Sequence, residues 1–85
     1  LGGHADVVEL LLDRGAQVDA MDEESQATPL MLAASMDRTE VITVLLKRGA
    51  DVKKKDKAGQ TALERARKSE NQEVIQMLEE PGRGH

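Results

Sequence analysis

Residues 5–18 read ADVVELLLDRGAQV, and residues 39–52 repeat them in register and without a gap as TEVITVLLKRGADV. In both copies the apolar side chains recur at helical spacing and stop at a glycine, Gly15 or Gly49. Glycine ends helices readily because it adopts the left-handed conformation at little cost. A segment that recurs at a fixed spacing, here from residue 5 to residue 39, is typical of proteins built from stacked structural units. The sequence therefore predicts a short amphipathic helix that occurs once in each unit.

A second element precedes the later copy of this helix. Residues 28–34 read TPLMLAA and return 33 residues later, at residues 61–67, as TALERAR. Threonine followed by proline is typical of a helix start, since the threonine side chain caps the first turn and proline has the φ that this turn needs. The pattern predicts two antiparallel helices per unit, joined by a polar turn at Asp37 and Arg38. Residues 74–78 replay the first element a third time.

A polar segment links each glycine to the next threonine. Between Gly49 and Thr61 it includes Gly59, a residue suited to a turn, and it is too long for a simple helix connection. Between Gly15 and Thr28 the segment is one residue longer and lacks that glycine. We therefore expect an extended loop in each unit, with a looser or bulged tip in the first.

At these residues the chain resembles the ankyrin repeat. The match covers residues 1 to about 80 and includes Gly3-His4, Val7-Val8, Leu10 to Leu12, Gly15-Ala16, Thr28-Pro29-Leu30, Ala33-Ala34, Asp56, Gly59 and Thr61. The resemblance implies an all-α, ankyrin-repeat solenoid of stacked antiparallel helix pairs joined by hairpin-like loops. The implied divisions are the second half of a repeat in residues 1–21, a full repeat in 22–55, a C-terminal capping-type repeat in 56–80 and a flexible tail in 81–85.

Two departures from the repeat pattern lie in the last unit and indicate the C-terminal end of the stack. Arg65 replaces Leu32 and Glu79 replaces Leu46 in the last unit, so we expect charge where an internal repeat would show apolar surface, as in a terminal cap.

The beginning of the chain supplies only the second helix of a unit. We therefore expect further ankyrin repeats to lie N-terminal in the intact protein. The exposed side of Val7, Val8 and Leu11 should then be covered by a neighbour or fray.

The composition limits the core and the ligands. Phe, Trp and Tyr are absent from the 85 residues, so any core consists of Leu, Val, Ile, Ala and Met. A net charge of −4 argues against nucleic acid as the main ligand, because phosphate binding is driven by basic surface. The absence of cysteine excludes disulfides and fits a cytoplasmic or nuclear location. The longest purely apolar run, Leu10 to Leu12, is far too short to span a bilayer.

The sequence predicts no catalytic site, no metal and no cofactor. The only histidines are His4 and His85, and the serines Ser25, Ser35 and Ser69 are expected at loops and helix ends. The acidic run of Asp22, Glu23 and Glu24 lacks the alternating ligands and central glycine of a calcium loop. We interpret this run as a solvated loop tip and the chain as a non-enzyme.

The resemblance implies that a protein or peptide partner binds on the concave face, which ankyrin repeats form from loop tips and first helices. The candidate partner-binding residues are those that the family pattern leaves free: Met21, Glu23, Glu24, Gln26, Ser35, Met36, Lys55, Lys57, Ala58, Gln60, Lys68 and Ser69. Met21 and Met36 are candidate apolar anchors, with a filler role as the alternative. Stacking should also place the acidic tip beside the lysine-rich tip of the next unit.

Four lysines, Lys53, Lys54, Lys55 and Lys57, surround Asp56, so this loop carries a local charge of 4 − 1 = +3. An anion-binding or nucleic-acid-binding tip and a nuclear-localisation patch are two functional interpretations. No arginine or aromatic residue is interleaved, which favours a solvated hairpin flank and leaves nucleic-acid contact as the alternative.

Asp19 lies four residues after Gly15, where ankyrin repeats often carry an asparagine that bridges neighbouring hairpins. The resemblance implies that Asp19 accepts backbone hydrogen bonds and holds the loop in shape. Hydroxylation, which occurs at this position in the family, is an open alternative. Lys53, at the equivalent place in the next unit, has a side chain that cannot accept a hydrogen bond.

Overall fold

A computed structural model of the chain describes residues 3–79, and the tail expected at residues 81–85 lies outside them. The described residues form five helices and no strand: α1 (Gly3–Asp13), α2 (Pro29–Ser35), α3 (Thr39–Lys47), α4 (Ala62–Ser69) and α5 (Gln72–Glu79). Helix α2 packs on α3, and α4 on α5, across short turns, so each pair is antiparallel. The inner helices α2 and α4 contact each other, and among the outer helices α3 contacts α1 and α5. The all-α solenoid of stacked helix pairs is confirmed.

Both inner helices begin at a capping threonine, as the sequence predicts. The Thr28 hydroxyl accepts a hydrogen bond from the Met31 amide at 3.3 Å, and the Thr61 hydroxyl accepts one from the Glu64 amide at 3.2 Å. In return, the Glu64 carboxylate accepts from the Thr61 amide at 2.9 Å, and the Met31 sulfur accepts from the Thr28 amide at 3.4 Å. These reciprocal caps satisfy amides that have no partner within the first helical turn.

Glycine ends two of the outer helices. Gly15 has a φ of +98° and Gly49 a φ of +86°, the left-handed conformation expected from the repeat. After each glycine, the next amide donates to a carbonyl oxygen five residues earlier, at 2.9 Å in the first copy and 3.0 Å in the second. The two copies of the repeated segment therefore end in the same backbone geometry.

The core is a thin layer of aliphatic side chains. Leu30, Ile42 and Val74 are fully buried and come from three different helices. Ala34 and Ala66, one on each inner helix, are fully buried as well. Their small side chains allow the two helices to approach closely at high packing density. A chain without aromatic residues can thus still bury a continuous core along the stack.

The exposure of equivalent positions shows which side of a unit faces the preceding one. Leu11 and Leu45 hold the same place in the repeat, yet Leu11 is 53% exposed and Leu45 only 1%. Val7 is likewise 54% exposed, whereas its counterpart in the last unit, Val74, is fully buried. A preceding helix covers the buried members of these pairs. Val8, which we expected beside Val7 on the exposed side, instead packs against the core, so this part of the expectation is wrong.

Arg65 also points toward the preceding unit. Its Nη1 donates to the Ser35 hydroxyl at 3.2 Å, and only 19% of its side chain is exposed. The interpretation of Arg65 as a charge on the outer end of the stack is therefore wrong, because the residue bridges two units. Glu79, the second charge in that interpretation, is exposed and pairs with Arg67 at 3.0 Å.

Leu32 holds the position of Arg65 one unit earlier and is 48% exposed. Within residues 3–79, no helix lies on this side of α2 to cover it, as α2 covers Arg65. Leu32, Val7 and Leu11 are thus apolar side chains exposed at positions that a preceding unit covers or partly covers in later units, and we name these three residues the open face.

The two loops close alike but differ by one residue. The amide of the first residue donates to the carbonyl oxygen of the last at 3.0 Å in the first loop (residues 22–27) and at 2.9 Å in the second loop (residues 56–60). The additional residue of the first loop leaves Gln26 with a φ of +60°, where the second loop has Gly59 with a φ of +81°. This conformation costs a residue with a Cβ about 1 to 2 kcal/mol. Of the two alternatives expected for the first tip, looser or bulged, the structure shows the bulge.

Gln26→Gly should raise the free energy of unfolding by on the order of 0.5 to 1 kcal/mol. Glycine removes the Cβ clash, and its greater freedom in the unfolded chain offsets only part of the gain. Gln76→Gly, the same change inside α5, should lower the free energy of unfolding by about 1 kcal/mol. Urea unfolding followed by circular dichroism measures both, and a destabilised Gln26→Gly variant would contradict the strain assigned to this position.

Candidate interaction surface

Hydrogen bonds hold the two loops side by side. The Lys57 amide donates to the Ser25 carbonyl oxygen at 2.8 Å. Earlier along the chain, the Asp51 amide donates to Oδ1 of Asp19 at 2.9 Å. The first contact confirms that stacking places the acidic tip beside the lysine-rich tip. The second confirms that Asp19 accepts a backbone hydrogen bond from the neighbouring unit.

The first loop is organised around Asp22. Its Oδ2 accepts hydrogen bonds from the Ser25 amide at 2.8 Å, the Ser25 hydroxyl at 3.0 Å and the Glu24 amide at 3.1 Å. The backbone hydrogen bond from Ser25, aided by that residue's hydroxyl, lowers the pKa of Asp22 below its ordinary value. Ser25 is thus a loop-shaping residue, as predicted. Glu23 and Glu24 remain exposed, with no ion pair to their carboxylates among the described residues.

The second loop is organised around Asp56, which is buried. Its Oδ1 accepts from the amides of Ala58 and Gln60, both at 2.9 Å. Its Oδ2 accepts from Nη2 of Arg65 at 2.8 Å and from Nε at 3.1 Å. The Gln60 amide first, and then the Arg65 guanidinium, lower the pKa of Asp56 below its ordinary value. The charges that this loop offers to solvent therefore come from the lysines around Asp56.

The predicted partner-binding residues fall on the loops and on the far ends of the inner helices. Ten of the twelve are exposed, and Gln60 and Ser69 are half-buried. Met21 is 50% and Met36 59% exposed, which are high values for apolar side chains of this size. Among the lysines, Lys55 and Lys57 are exposed, as is Lys53, while Lys54 is half-buried. These residues are accessible, and their role in binding stays a prediction.

Two of the predicted residues already serve the contact between units. The Ser35 hydroxyl accepts from Arg65, and the Ser69 hydroxyl is 3.5 Å from the Ser35 carbonyl oxygen and 3.4 Å from that of Arg65. Arg65 itself was not among the predicted site residues. Its signal in the sequence was a charge at a position where the preceding unit has Leu32, nine residues after an aspartate that could pair with it.

Two further features, a metal-binding cluster and a membrane-spanning helix, are absent from the described residues. Within residues 3–79, no group of three or more His, Cys, Asp or Glu side chains is placed to hold a metal ion. No helix in this part of the chain is long and apolar enough to cross a membrane.

Comparison with known proteins gives consistent matches. A family model described as ankyrin repeats (3 copies) matches residues 1–83. Protein HOS4 of Saccharomyces cerevisiae is 35% identical over 81 residues, which cover 91% of this chain and 8% of that protein. The human SH3 and multiple ankyrin repeat domains protein 2 is 41% identical over 73 residues, 85% of this chain and 4% of that protein. The E3 ubiquitin-protein ligase hecd-1 of Caenorhabditis elegans is 34% identical over 82 residues, 93% of this chain and 3% of that protein.

The chain spans less than a tenth of the length of each of these relatives. The ligase named in the worm protein and the SH3 domain named in the human one belong to those proteins. What the three share with this chain is the repeat segment.

Asp19→Ala should lower the free energy of unfolding by on the order of 1 kcal/mol, because the Asp51 amide then loses its partner in the neighbouring unit. Asp19→Asn keeps a side-chain oxygen that can accept this hydrogen bond and should stay close to wild type. Thermal and urea unfolding compare the three proteins. An unchanged melting temperature in Asp19→Ala would contradict a bridging role for Asp19.

Proposed function

Because the chain belongs to the ankyrin-repeat family, we propose that it binds a protein or peptide partner on the concave face of its two loops and inner helices, without chemistry of its own. Ankyrin repeats are in general protein–protein interaction modules with a non-catalytic fold. The observation that supports this surface is the contact between the loops, where the Lys57 amide meets the Ser25 carbonyl oxygen at 2.8 Å. It joins residues of two units into one continuous surface.

Affinity in this proposal comes mainly from Met21 and Met36. Both side chains are at least half exposed, and a flexible thioether adapts to the shape of a partner. A few apolar residues that lose their water on binding usually dominate an interface. The loops that carry the neighbouring residues are closed by backbone hydrogen bonds, so little conformational freedom is lost when a partner binds.

The charges on the two loops orient the partner. Glu23 and Glu24 give the first loop two exposed carboxylates, while Lys55 and Lys57 give its neighbour two exposed ammonium groups. A partner with the opposite order of charges is attracted in one alignment and repelled in the reverse one. Such complementarity contributes more to orientation and to the rate of association than to affinity.

The alternative is contact with an anion or nucleic acid through residues 53–57. The exposed Lys53, Lys55 and Lys57 favour it, and the neighbouring acidic loop opposes it. Binding of heparin and of an oligonucleotide at two salt concentrations separates the two proposals. Appreciable affinity that falls steeply with salt would support the alternative. Absence of binding at either salt concentration would exclude the alternative and favour the protein-binding proposal.

We also propose that further ankyrin repeats pack on the open face in the intact protein. Support comes from the chain itself, since the position of Leu11 is buried in both later units, at Leu45 and Leu78, and that of Val7 is partly buried at Val41 and fully buried at Val74. In this proposal the units divide at residues 21/22 and 55/56, the last unit caps the stack, and the protein is cytoplasmic or nuclear.

Reversing the acidic charges tests the binding surface. In the intact protein, Glu23→Lys with Glu24→Lys should weaken binding of the partner through repulsion, and Met36→Ala should weaken it through lost apolar contact. Thr43→Ala, a change on the exposed side of α3, is the control and should leave the dissociation constant unchanged. The variants are first checked for wild-type helicity. If neither surface change moves the dissociation constant more than about twofold, less than half a kcal/mol, this surface is not the site.

The open face predicts marginal stability for the isolated chain. It should melt below about 65 °C as a monomer, because repeat stability sums over units and their interfaces and about three units are usually needed. Leu11→Gln should leave this melting temperature almost unchanged but lower that of the intact protein, whereas Leu45→Gln should lower both. Cooperative melting of the monomeric chain above that temperature, or equal effects of Leu11→Gln in both proteins, would contradict a covered open face.

A further inference from the structure

Arg65 is the one described side chain that contacts both the second loop and the preceding inner helix through side-chain hydrogen bonds. Nε and Nη2 donate to Asp56 Oδ2 at 3.1 and 2.8 Å, and Nη1 donates to the Ser35 hydroxyl at 3.2 Å. All three guanidinium nitrogens are thus engaged at once. The planar guanidinium has donors in a fixed arrangement, so these contacts define a direction as well as a distance.

The aspartates of the two loops, Asp22 and Asp56, accept hydrogen bonds from different kinds of partner. Asp22 takes all its hydrogen bonds from its own loop, from Ser25 and Glu24. Asp56 shapes its loop with Oδ1 alone and leaves Oδ2 to Arg65. The position of Arg65 is occupied by Leu32 in the earlier unit, which has no polar group to offer. Only the second loop therefore has this side-chain link between its aspartate and the helices beneath it.

Because Asp56 is buried, its ion pair with Arg65 is held in one geometry. The Asp56 side chain is 4% exposed and needs a charged partner, because a buried carboxylate is costly when it is left unpaired. Arg67, two residues further on the same helix, shows the contrast. Its pair with Glu79 is 57% and 43% exposed, so solvent competes for both partners and the pair fixes little.

We propose that Arg65 is a positioning residue for the partner-binding surface. It holds the second loop, with Lys57 and Ala58, at a set orientation to the end of α2, which carries Ser35 and Met36. The inference rests on the proposed function, because it concerns how the two halves of that surface are kept in register. Without Arg65, Asp56 keeps its hydrogen bonds from Ala58 and Gln60, so the loop retains its shape. The Lys57–Ser25 hydrogen bond still joins it to the first loop, but its orientation to the end of α2 varies.

Spin labels test this directly, and the chain has no cysteine of its own. Cysteines introduced at Met36 and Lys57 place one label on each side of the link, and electron paramagnetic resonance measures the distribution of distances between them. We expect a narrow distribution in the otherwise unchanged chain, a broad one in Arg65→Leu and a narrow one in the matched control Arg67→Leu. Arg65→Leu places at this position the residue that the preceding unit carries there.

A second measurement separates positioning from plain loss of structure. Arg65→Leu leaves the buried Asp56 carboxylate unpaired and lowers the stability of the whole chain. Amide exchange of Ala58 and Gln60 should therefore rise by no more than about threefold beyond the rise at the buried Ile42 and Leu45, since their acceptor on Asp56 remains. Should Arg65→Leu fail to fold, Ser35→Ala removes only the contact to α2, at an exposed residue, and should broaden the distribution as well.

Two results would overturn the inference. The first is a distribution no broader in Arg65→Leu, or in Ser35→Ala where that variant replaces it, than in Arg67→Leu. The second is broadening accompanied by a rise in exchange at Ala58 and Gln60 more than about threefold beyond that at Ile42 and Leu45, which would make Arg65 a residue of loop stability only. No partner is used, so failure of the proposed function would show in the binding measurements and not here.

Discussion

The packing of each helix pair on the next is the contact on which the rest of the structure depends. An isolated helix pair exposes an apolar side that only a neighbouring unit can bury. Burial of Leu45 relative to the exposed Leu11 is worth about 1.5 to 3 kcal/mol, whereas the hydrogen bond from Asp51 to Asp19 contributes on the order of 1 kcal/mol. At these two contacts apolar stacking therefore contributes more stability than the hydrogen bond, whose direction helps to fix the register of one unit on the next.

This division of roles explains why the loops can vary while the fold persists. The first loop accommodates an additional residue by placing Gln26 in a left-handed conformation, and its first and last residues still close as in the second loop. Asp22 and Asp56 hold the two loops in shape with different partners. Side chains that point away from the stack are then free to differ between units. The resulting surface has acidic and basic halves on backbones of similar form.

Much of the fold could be predicted from sequence because local signals and the repeat agree. Threonine caps, glycine helix ends and apolar spacing each predict the same helix pair, and all are found. The direction in which a side chain points along the stack could not be predicted in the same way. Arg65 and Val8 were both placed on the wrong side, since a helical pattern gives a face but does not say which neighbour that face meets. The candidate site is harder still, because free positions in a repeat mark accessible residues and carry no record of a partner.

The proposed binding of a protein partner by the paired loops and inner helices leaves the outer helices to hold the stack together. Amide hydrogen exchange of the intact protein, alone and with its partner bound, tests it most directly. We expect slower exchange in the partner-bound state at residues 22–27 and 56–60 and at the end of α2, with α3 and α5 unchanged. Slower exchange confined to α3 and α5, with both loops unaffected, would contradict it.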